Sequence, residues 1–200
     1  MEDKKAAIFN SAKELFSVKG FKDTNVSDIT KMAGIGVGTF YNYYASKEGL
    51  FIEILKEENR KVKESILESF DSKDDPVQAV VKFVMQNFKV MQSNPIMKEW
   101  YNRDVYSKIE RYFDEQGGMG SIQEFLNSGQ TELIQQWKAE GKIRNDLDDD
   151  LIGAIFTAIP YIDLHKNEIG IQYFPQILYY ITEFVMKGLT EIPPKKDIEK

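Results

Sequence analysis

The sequence predicts an all-α protein, and three observations support this fold class. Apolar residues recur at the spacing of helices along nearly all of the 200 residues, and we find no convincing alternating pattern of a half-buried strand. Glycine, proline and capping residues interrupt that spacing at intervals that suit helices of ordinary length. The composition, 42% apolar and 12% aromatic, is ample for a packed core. We expect a small head over residues 1–46 and a larger helical body over residues 47–200.

Four helices are predicted in the first third of the chain. Gly20 and Gly34 are placed to end the first two, because glycine tolerates the left-handed conformation that closes a helix. In the second helix, Ile29, Met32 and Ala33 are expected to face inward. The predicted bounds are Lys4–Val18, Val26–Ala33, Val37–Tyr44, and a fourth helix capped by Ser46 that extends towards Phe70.

Six further helices are predicted in the body. The segment SKDDPVQ interrupts the helical pattern, with Asp75 as a cap and Pro76 at the first helical position. Gly117, Gly118 and Gly120 mark a flexible corner, and the tail PPKKDIEK is expected to fray. The predicted bounds are Pro76–Gln92, Pro95–Asn102, Asp104–Glu115, Ser121–Glu140, Asp148–His165 and Tyr173–Leu189.

The composition excludes several classes of protein. The chain has no cysteine, which rules out disulfide scaffolds, thiolate catalysis and cysteine-based zinc sites. The first residues lack the continuous apolar core of a signal peptide, and the longest apolar run, from Ile152, is too short to span a bilayer. We therefore expect a cytoplasmic protein without a cofactor.

Charge is unevenly distributed along the chain. Residues 1–50 carry a net charge of +1, whereas residues 51–200 carry −7 within the total of −6. The N-terminal quarter is the only part that an anionic polymer would tolerate.

The glycine-rich stretch GIGVG, Gly34 to Gly38, invites comparison with a phosphate-binding loop. Such a loop needs a buried strand before it, but the preceding VSDITKMA is helix-patterned. The spacing GxGxG also fits neither the dinucleotide motif nor the P-loop, which needs a lysine here. A tight turn between two helices, as in a helix-turn-helix, explains these glycines better.

The predicted third helix has two distinct faces when its residues are placed at about 100° intervals. Phe40 and Tyr44 face one way and are expected to fill the core of the head. Gly38, Thr39 and Asn42 face the opposite way, and such small or polar residues suit base edges in a DNA major groove.

Tyr41 and Tyr43 flank that polar face. Their hydroxyl groups, together with Lys47 and the free amides at the start of the fourth helix, are placed to reach phosphates. The alternative is that FYNYY is only an aromatic core stripe. That alternative explains Phe40 and Tyr44 but not the remaining residues of the stretch.

The first fifty residues also resemble the N-terminal DNA-binding head of TetR-family transcriptional regulators. The resemblance rests on several motifs at matching spacing: AKELF at Ala12–Phe16, Gly20-Phe21, Thr24, Asp28-Ile29, Ala33-Gly34-Ile35, Gly38-Thr39-Phe40-Tyr41 and Ser46-Lys47-Glu48. The rest of the chain matches only in length and helical layout. Gly36 and Val37 depart from the family pattern, because neither supplies a side-chain hydrogen bond.

The resemblance implies a dimer that binds a palindromic operator with its third helices. Repression relieved by a ligand is the default mode, and activation stays open. The family motif and the helix angles together give the predicted DNA-binding set: Val26, Ser27, Gly38, Thr39, Tyr41, Asn42, Tyr43 and Lys47.

The last two predicted helices are apolar on almost every side, so a second helical surface is expected to cover them. A homodimer formed through a four-helix bundle would do so. The alternative is burial within the monomer. The predicted interface residues are Ile152, Ile155, Phe156, Ile159, Ile177, Ile181 and Phe184.

Large side chains in the middle of the body are candidates to line a pocket for a small lipophilic or aromatic ligand. The strongest are Trp100, Tyr101 and Tyr106, which we expect to be exposed, and Glu99 or Asp163 would favour a cation. Each is also compatible with ordinary core packing. The predicted ligand-binding set is Phe83, Phe88, Met91, Trp100, Tyr101, Tyr106 and Phe113.

Two rival classes are an enzyme and a helical small-molecule carrier or adaptor without sequence-specific DNA binding. The single histidine, His165, has no assignable catalytic partner. The acidic run DLDDDL, Asp146 to Leu151, suits a helix start better than a metal site, because consecutive carboxylates seldom converge on one ion. We therefore expect neither a catalytic residue nor a metal ligand.

Overall fold

The computed structural model describes residues 4–67, 74–115 and 130–191, and these residues form helices and turns without any strand. The all-α prediction is confirmed. The helices are α1 (Lys4–Lys19), α2 (Val26–Met32), α3 (Val37–Tyr41), α4 (Lys47–Leu67), α5 (Pro76–Ser93), α6 (Pro95–Lys98), α7 (Arg103–Glu115), α8 (Gln130–Ala139), α9 (Asp149–Leu164), α10 (Lys166–Ile169) and α11 (Gln176–Thr190). Short 3-10 turns cover Glu99–Tyr101 and Ile171–Tyr173.

Most helix ends lie within a few residues of their predicted positions. Asp75 caps α5 by accepting a hydrogen bond from the amide of Gln78 at 3.0 Å, and Asp148 caps α9 by accepting one from Asp150 at 2.8 Å. The segment predicted as one helix from Tyr173 instead contains a 3-10 turn before α11. The predicted glycine corner, the start of the Ser121–Glu140 helix and the tail lie outside the described residues.

The chain divides into two compact units. The first contains the described residues of 4–67 and 87–115, and the second contains those of 74–86 and 130–191. In the first unit α1 packs against α2, α4 and α6, and α4 also packs against α7. In this division α4 shares a unit with the head. The predicted domain boundary after residue 46 stays a prediction.

Three fully buried phenylalanines form the centre of the first unit. Phe16 of α1, Phe21 of the following turn and Phe51 of α4 have ring centroids 4.7 to 5.7 Å apart. Rings at these distances add about 0.5–1.5 kcal/mol per pair to the gain from burial. They fix the end of α1 and its turn against the first turns of α4.

The second unit is built around Trp137 of α8, which is fully buried. Its cluster draws on four helices and contains Val77, Val81, Ile134, Trp137, Ile143, Ile152, Met186 and Leu189. Lys138 joins α8 to the start of α9 by pairing with Asp149 and donating to the carbonyl oxygen of Leu147 at 2.6 Å. The hydrogen bond from Lys138 lowers the pKa of Asp149.

Candidate nucleic-acid interface

The turn between α2 and α3 is defined by local sequence. The Asn25 side chain accepts the amide of Asp28 at 2.9 Å while the Asp28 carboxylate accepts the amide of Asn25, which forms a capping box at the start of α2. At the other end Gly34 has a φ of 67°, and the amide of Ile35 donates to the carbonyl oxygen of Thr30 at 3.0 Å. Glycine suits position 34 because a residue with a side chain would be strained at this positive φ.

Helix α3 is held by two aromatic side chains, one on its inner face and one three residues beyond its end. Phe40 is fully buried and Tyr44 nearly so, with ring centroids 5.9 Å apart, as the helix angles predicted. The predicted length was wrong, because α3 ends at Tyr41 rather than Tyr44. The amides of Tyr43 and Tyr44 both donate to the carbonyl oxygen of Phe40, so the chain tightens over its last residues before α4 begins.

Five of the predicted DNA-contacting residues lie on α3 or in the two residues after it. Tyr41 is 56% exposed and Tyr43 is 43% exposed, and Gly38 and Asn42 are exposed as well, whereas Thr39 is half-buried. Asn42 occupies the C-cap position. The structure thus leaves most of these residues open to solvent, and their contact with DNA stays a prediction.

The second-helix candidates differ in exposure. Ser27 is exposed, and its hydroxyl donates to the side-chain oxygen of Asn25, while Val26 is half-buried. Met32 was wrongly expected to face inward and is 43% exposed, at the end of α2.

Lys47 is turned into the first unit rather than towards solvent. Its ammonium group donates to the carbonyl oxygens of Phe21 at 2.8 Å and Thr24 at 2.6 Å, and lies 4.2 Å from the centroid of the Phe21 ring. Burial lowers the pKa of Lys47. Lys47 therefore has a structural role that the sequence did not indicate, and its predicted phosphate contact stays untested.

Comparison with known proteins decides what this head is. Residues 8–54 match the family model of the bacterial regulatory proteins of the TetR family. The chain carries a TetR-family DNA-binding head. It is accordingly a DNA-binding transcriptional regulator, and the resemblance read from the first fifty residues is confirmed.

A full-length relative supports this assignment. The chain is 23% identical over 194 residues to the HTH-type transcriptional repressor KstR2 of Mycolicibacterium smegmatis, covering 88% of this chain and 89% of that protein. Alignments with other HTH-type regulators, YdgC of Bacillus subtilis and RutR of Escherichia coli, cover 35% and 64% of their lengths.

Two solved structures share the fold over most of the chain. RolR in complex with resorcinol has a TM-score of 0.66 at 15% identity and covers 95% of this chain and 88% of RolR. FadR from Bacillus subtilis in complex with stearoyl-CoA has a TM-score of 0.58 at 18% identity and covers 94% and 99%. At these identities the likeness shows the shared helical fold.

The predicted ligand-binding residues are distributed over both units, and their binding of a ligand stays a prediction. Phe83 belongs to the second unit, whereas the other six belong to the first. Trp100 is only 8% exposed and meets Tyr106 edge-on at 5.2 Å, and Phe113 is also buried. The expectation that Trp100 is exposed was wrong, because the 3-10 turn directs this ring inward. Phe88, Met91, Tyr101 and Tyr106 are half-buried.

The predicted dimer residues likewise separate into inner and outer groups. Ile152 and Ile159 are buried within the chain, and Ile152 belongs to the cluster around Trp137, so these two are corrected from interface to core. Phe184 is 64% exposed on α11, beside the exposed Tyr180. Ile155, Phe156, Ile177 and Ile181 are half-buried.

The acidic run at the start of α9 has local partners. Asp146 pairs with Arg144 at 2.6 Å, Asp149 pairs with Lys138, and Asp148 caps the helix. Within residues 4–67, 74–115 and 130–191, no group of three or more His, Asp or Glu side chains is placed to hold a metal ion. His165 is exposed, and its ring lies 3.0 Å from Glu168.

No helix in the described part of the chain has both the length and the apolar character needed to cross a membrane.

Proposed function

We propose that this TetR-family regulator is a repressor that binds a palindromic operator as a homodimer and is released by a small lipophilic or aromatic ligand. The proposed DNA binding is supported by the separation of buried and exposed side chains along α3 and the residues that follow it. Phe40 and Tyr44 anchor the helix, which leaves Tyr41, Asn42 and Tyr43 exposed beside one another. A cytoplasmic location follows from a chromosomal target.

The proposed contacts have distinct chemistry. Asn42 carries an amide that can bond an adenine edge through two hydrogen bonds, which discriminates bases by about 1–3 kcal/mol. Tyr41 and Tyr43 carry hydroxyl groups that suit phosphate oxygens and would orient the helix without reading sequence. Asn42 is therefore proposed to specify the operator, and the two tyrosines to position the protein on it.

A selection from randomised duplexes tests this proposal. The wild-type protein should enrich a two-fold palindrome, and its affinity for that duplex should fall steeply as salt rises. Asn42→Ala should weaken binding to the enriched duplex about tenfold and relax the preference at one base pair of each half-site. Tyr43→Ala should weaken binding to all duplexes alike.

Tyr173→Ala is the matched control, because Tyr173 is an exposed tyrosine outside the first unit. It should bind as the wild type does. Unselective retention of duplexes by the wild type at every salt concentration would contradict the proposal and favour a carrier or adaptor without sequence-specific DNA binding.

The dimer is proposed to form through the outer face of α11. Tyr180 and Phe184 are four residues apart on that face, with ring centroids 6.0 Å apart and both rings exposed. Large exposed aromatic residues in such a group are typical of an interface between subunits. Gly188, one turn further along, has open space around it and would permit close approach of a second helix.

Phe184→Ser should therefore shift the molecular mass in light scattering towards the monomer at micromolar concentration. Val18→Ser removes another exposed apolar side chain, from α1, and should leave the mass unchanged. A monomeric wild type, or a Phe184→Ser variant with the wild-type mass, would contradict this interface.

The ligand class is supported by similarity. The structurally similar FadR and RolR were solved with stearoyl-CoA and resorcinol, and this chain has half-buried aromatic residues at Tyr101 and Tyr106. Stearoyl-CoA and resorcinol are suitable first probes. An active ligand should raise the melting temperature of the free protein and lower its affinity for the enriched duplex. A probe that binds and leaves duplex affinity unchanged would contradict its role as effector.

A further inference from the structure

The backbone of Phe21 is held from both sides by charged side chains. Its amide donates to Oε1 of Glu99 at 3.3 Å, and its carbonyl oxygen accepts from Nζ of Lys47 at 2.8 Å. The carboxylate accepts from the peptide unit before Phe21 and the ammonium group donates to the peptide unit after it, so a charged side chain holds the backbone on each side of this residue. We call this arrangement, formed by Phe21, Glu99 and Lys47, the Phe21 clasp.

The clasp joins three separate elements of the first unit. Phe21 lies in the turn between α1 and α2, Lys47 is the first residue of α4, and Glu99 begins the 3-10 turn after α6. Lys47 also holds the carbonyl oxygen of Thr24, one residue before the Asn25 cap of α2. A movement of Glu99 or Lys47 would therefore shift the start of α2, the helix that precedes α3.

The turn is shaped to receive the Glu99 side chain. Gly20 has a φ of 80°, and a Cβ atom there would lie 2.6 Å from Oε1 of Glu99, which is closer than van der Waals contact permits. The ring of Phe21 is fully buried against Phe16 and Phe51, so the turn has little room to shift independently. The other oxygen of Glu99 lies 3.5 Å from the side-chain amide of Asn102.

We propose that Glu99 is a positioning residue for operator binding and that the Phe21 clasp transmits the ligand signal to the head. This proposal rests on the proposed repressor function. Glu99 immediately precedes Trp100 and Tyr101, so a ligand that moves these aromatic residues also moves the carboxylate. Withdrawal of Glu99 frees the amide of Phe21, and the α1–α2 turn then loses the contact that aligns α2 and α3 with the DNA.

Two measurements on the same variants test the proposal. The first is hydrogen exchange of the Phe21 amide in the free, full-length protein, which reports directly on the clasp without DNA. The second is the affinity for the duplex enriched by the wild-type protein. Glu99→Ala should raise exchange at Phe21 about tenfold or more and weaken duplex binding about tenfold, while far-ultraviolet circular dichroism stays unchanged.

Glu99→Gln keeps an oxygen that can accept the amide of Phe21, so it should retain duplex affinity within about threefold of the wild type. Asp104→Ala is the matched control, because Asp104 pairs with Lys22 of the same turn at 3.3 Å but at an exposed site, where ion pairs contribute little. It should leave both measurements within about twofold of the wild type. If Glu99→Ala fails to fold, Glu99→Asp replaces it, since the shorter side chain withdraws the carboxylate from Phe21 while keeping the charge.

Three results would overturn the proposal. The first is a folded Glu99→Ala variant with wild-type exchange at Phe21. The second is faster exchange with unchanged duplex affinity, and the third is a Glu99→Gln variant as impaired as Glu99→Ala. If the wild type enriches no duplex, the proposed function fails separately, and exchange at Phe21 still shows whether Glu99 holds the turn.

Discussion

Replacing Lys47 by methionine should destabilise the first unit by about 2–3 kcal/mol. The ammonium group makes hydrogen bonds of 2.8 and 2.6 Å to two carbonyl oxygens. Hydrogen bonds to a charged group contribute about 1.5–3 kcal/mol each, so the two together are worth about 3–6 kcal/mol. The net loss of stability is smaller than this sum for two reasons. Lys47 is only half-buried, so water can reach the vacated carbonyl oxygens, and the substitution also removes a partly desolvated charge. Methionine keeps the apolar stem against the Phe21 ring.

Fluorescence can follow the first unit alone, because the chain has two tryptophans and they lie in different units. In a Trp137→Phe background, urea unfolding monitored by Trp100 gives the stability of the first unit. Lys31→Met is the matched control, since Lys31 lies exposed on α2, and it should change stability by less than about 0.5 kcal/mol. A Lys47→Met variant as stable as this control would refute the reasoning, and weakened DNA binding in that variant would then assign Lys47 to phosphate contact.

Two further predictions concern other parts of the chain. Burial acts to raise the pKa of Glu58, but hydrogen bonds from Lys13 and Asn94 outweigh burial and hold that pKa below its usual value. The resulting stabilisation of the folded state is present above the unfolded-state pKa of about 4.3. It is lost as the pH falls through the folded-state pKa. Glu58→Gln should therefore cost about 1–2 kcal/mol at pH 7 and progressively less below pH 4, measured by urea unfolding, and a cost independent of pH would contradict this. Trp137→Ala should cost the second unit about 3–5 kcal/mol in thermal or urea unfolding followed by circular dichroism, with the exposed Thr131→Ala as control, and a cost below about 1 kcal/mol would contradict the assignment of Trp137 to the core.

The sequence predicted the helical architecture well because its evidence is local. Helical spacing and the glycines that end α1 and α2 depend on near neighbours in the chain. The inward placement of Phe40 and Tyr44 follows from the same periodicity. Each of these features was correct to within a few residues.

The errors came where packing between distant segments decides. Ile152 was assigned to an interface, but Val77, Val81 and Met186, which are far away in the sequence, share its buried cluster. Trp100 was assigned to an exposed pocket, but it is buried within the chain. Met32 was expected to face inward with Ile29, but Ile29 is buried whereas Met32, three residues later, is exposed. The hydrogen bonds of Lys47 to Phe21 could not be predicted, because no local pattern indicates which carbonyl oxygens a side chain will meet.

The short length of α3 bears on how this regulator could change its target. A five-residue helix contributes little stability of its own, so its conformation depends on the buried rings of Phe40 and Tyr44. Substitutions at the exposed Tyr41, Asn42 and Tyr43 therefore alter the surface that we propose to face DNA at small cost to folding. With the contacts proposed above, mutation of Asn42 can change the preferred operator sequence while the protein remains folded, so recognition is free to diverge faster than the scaffold that supports it.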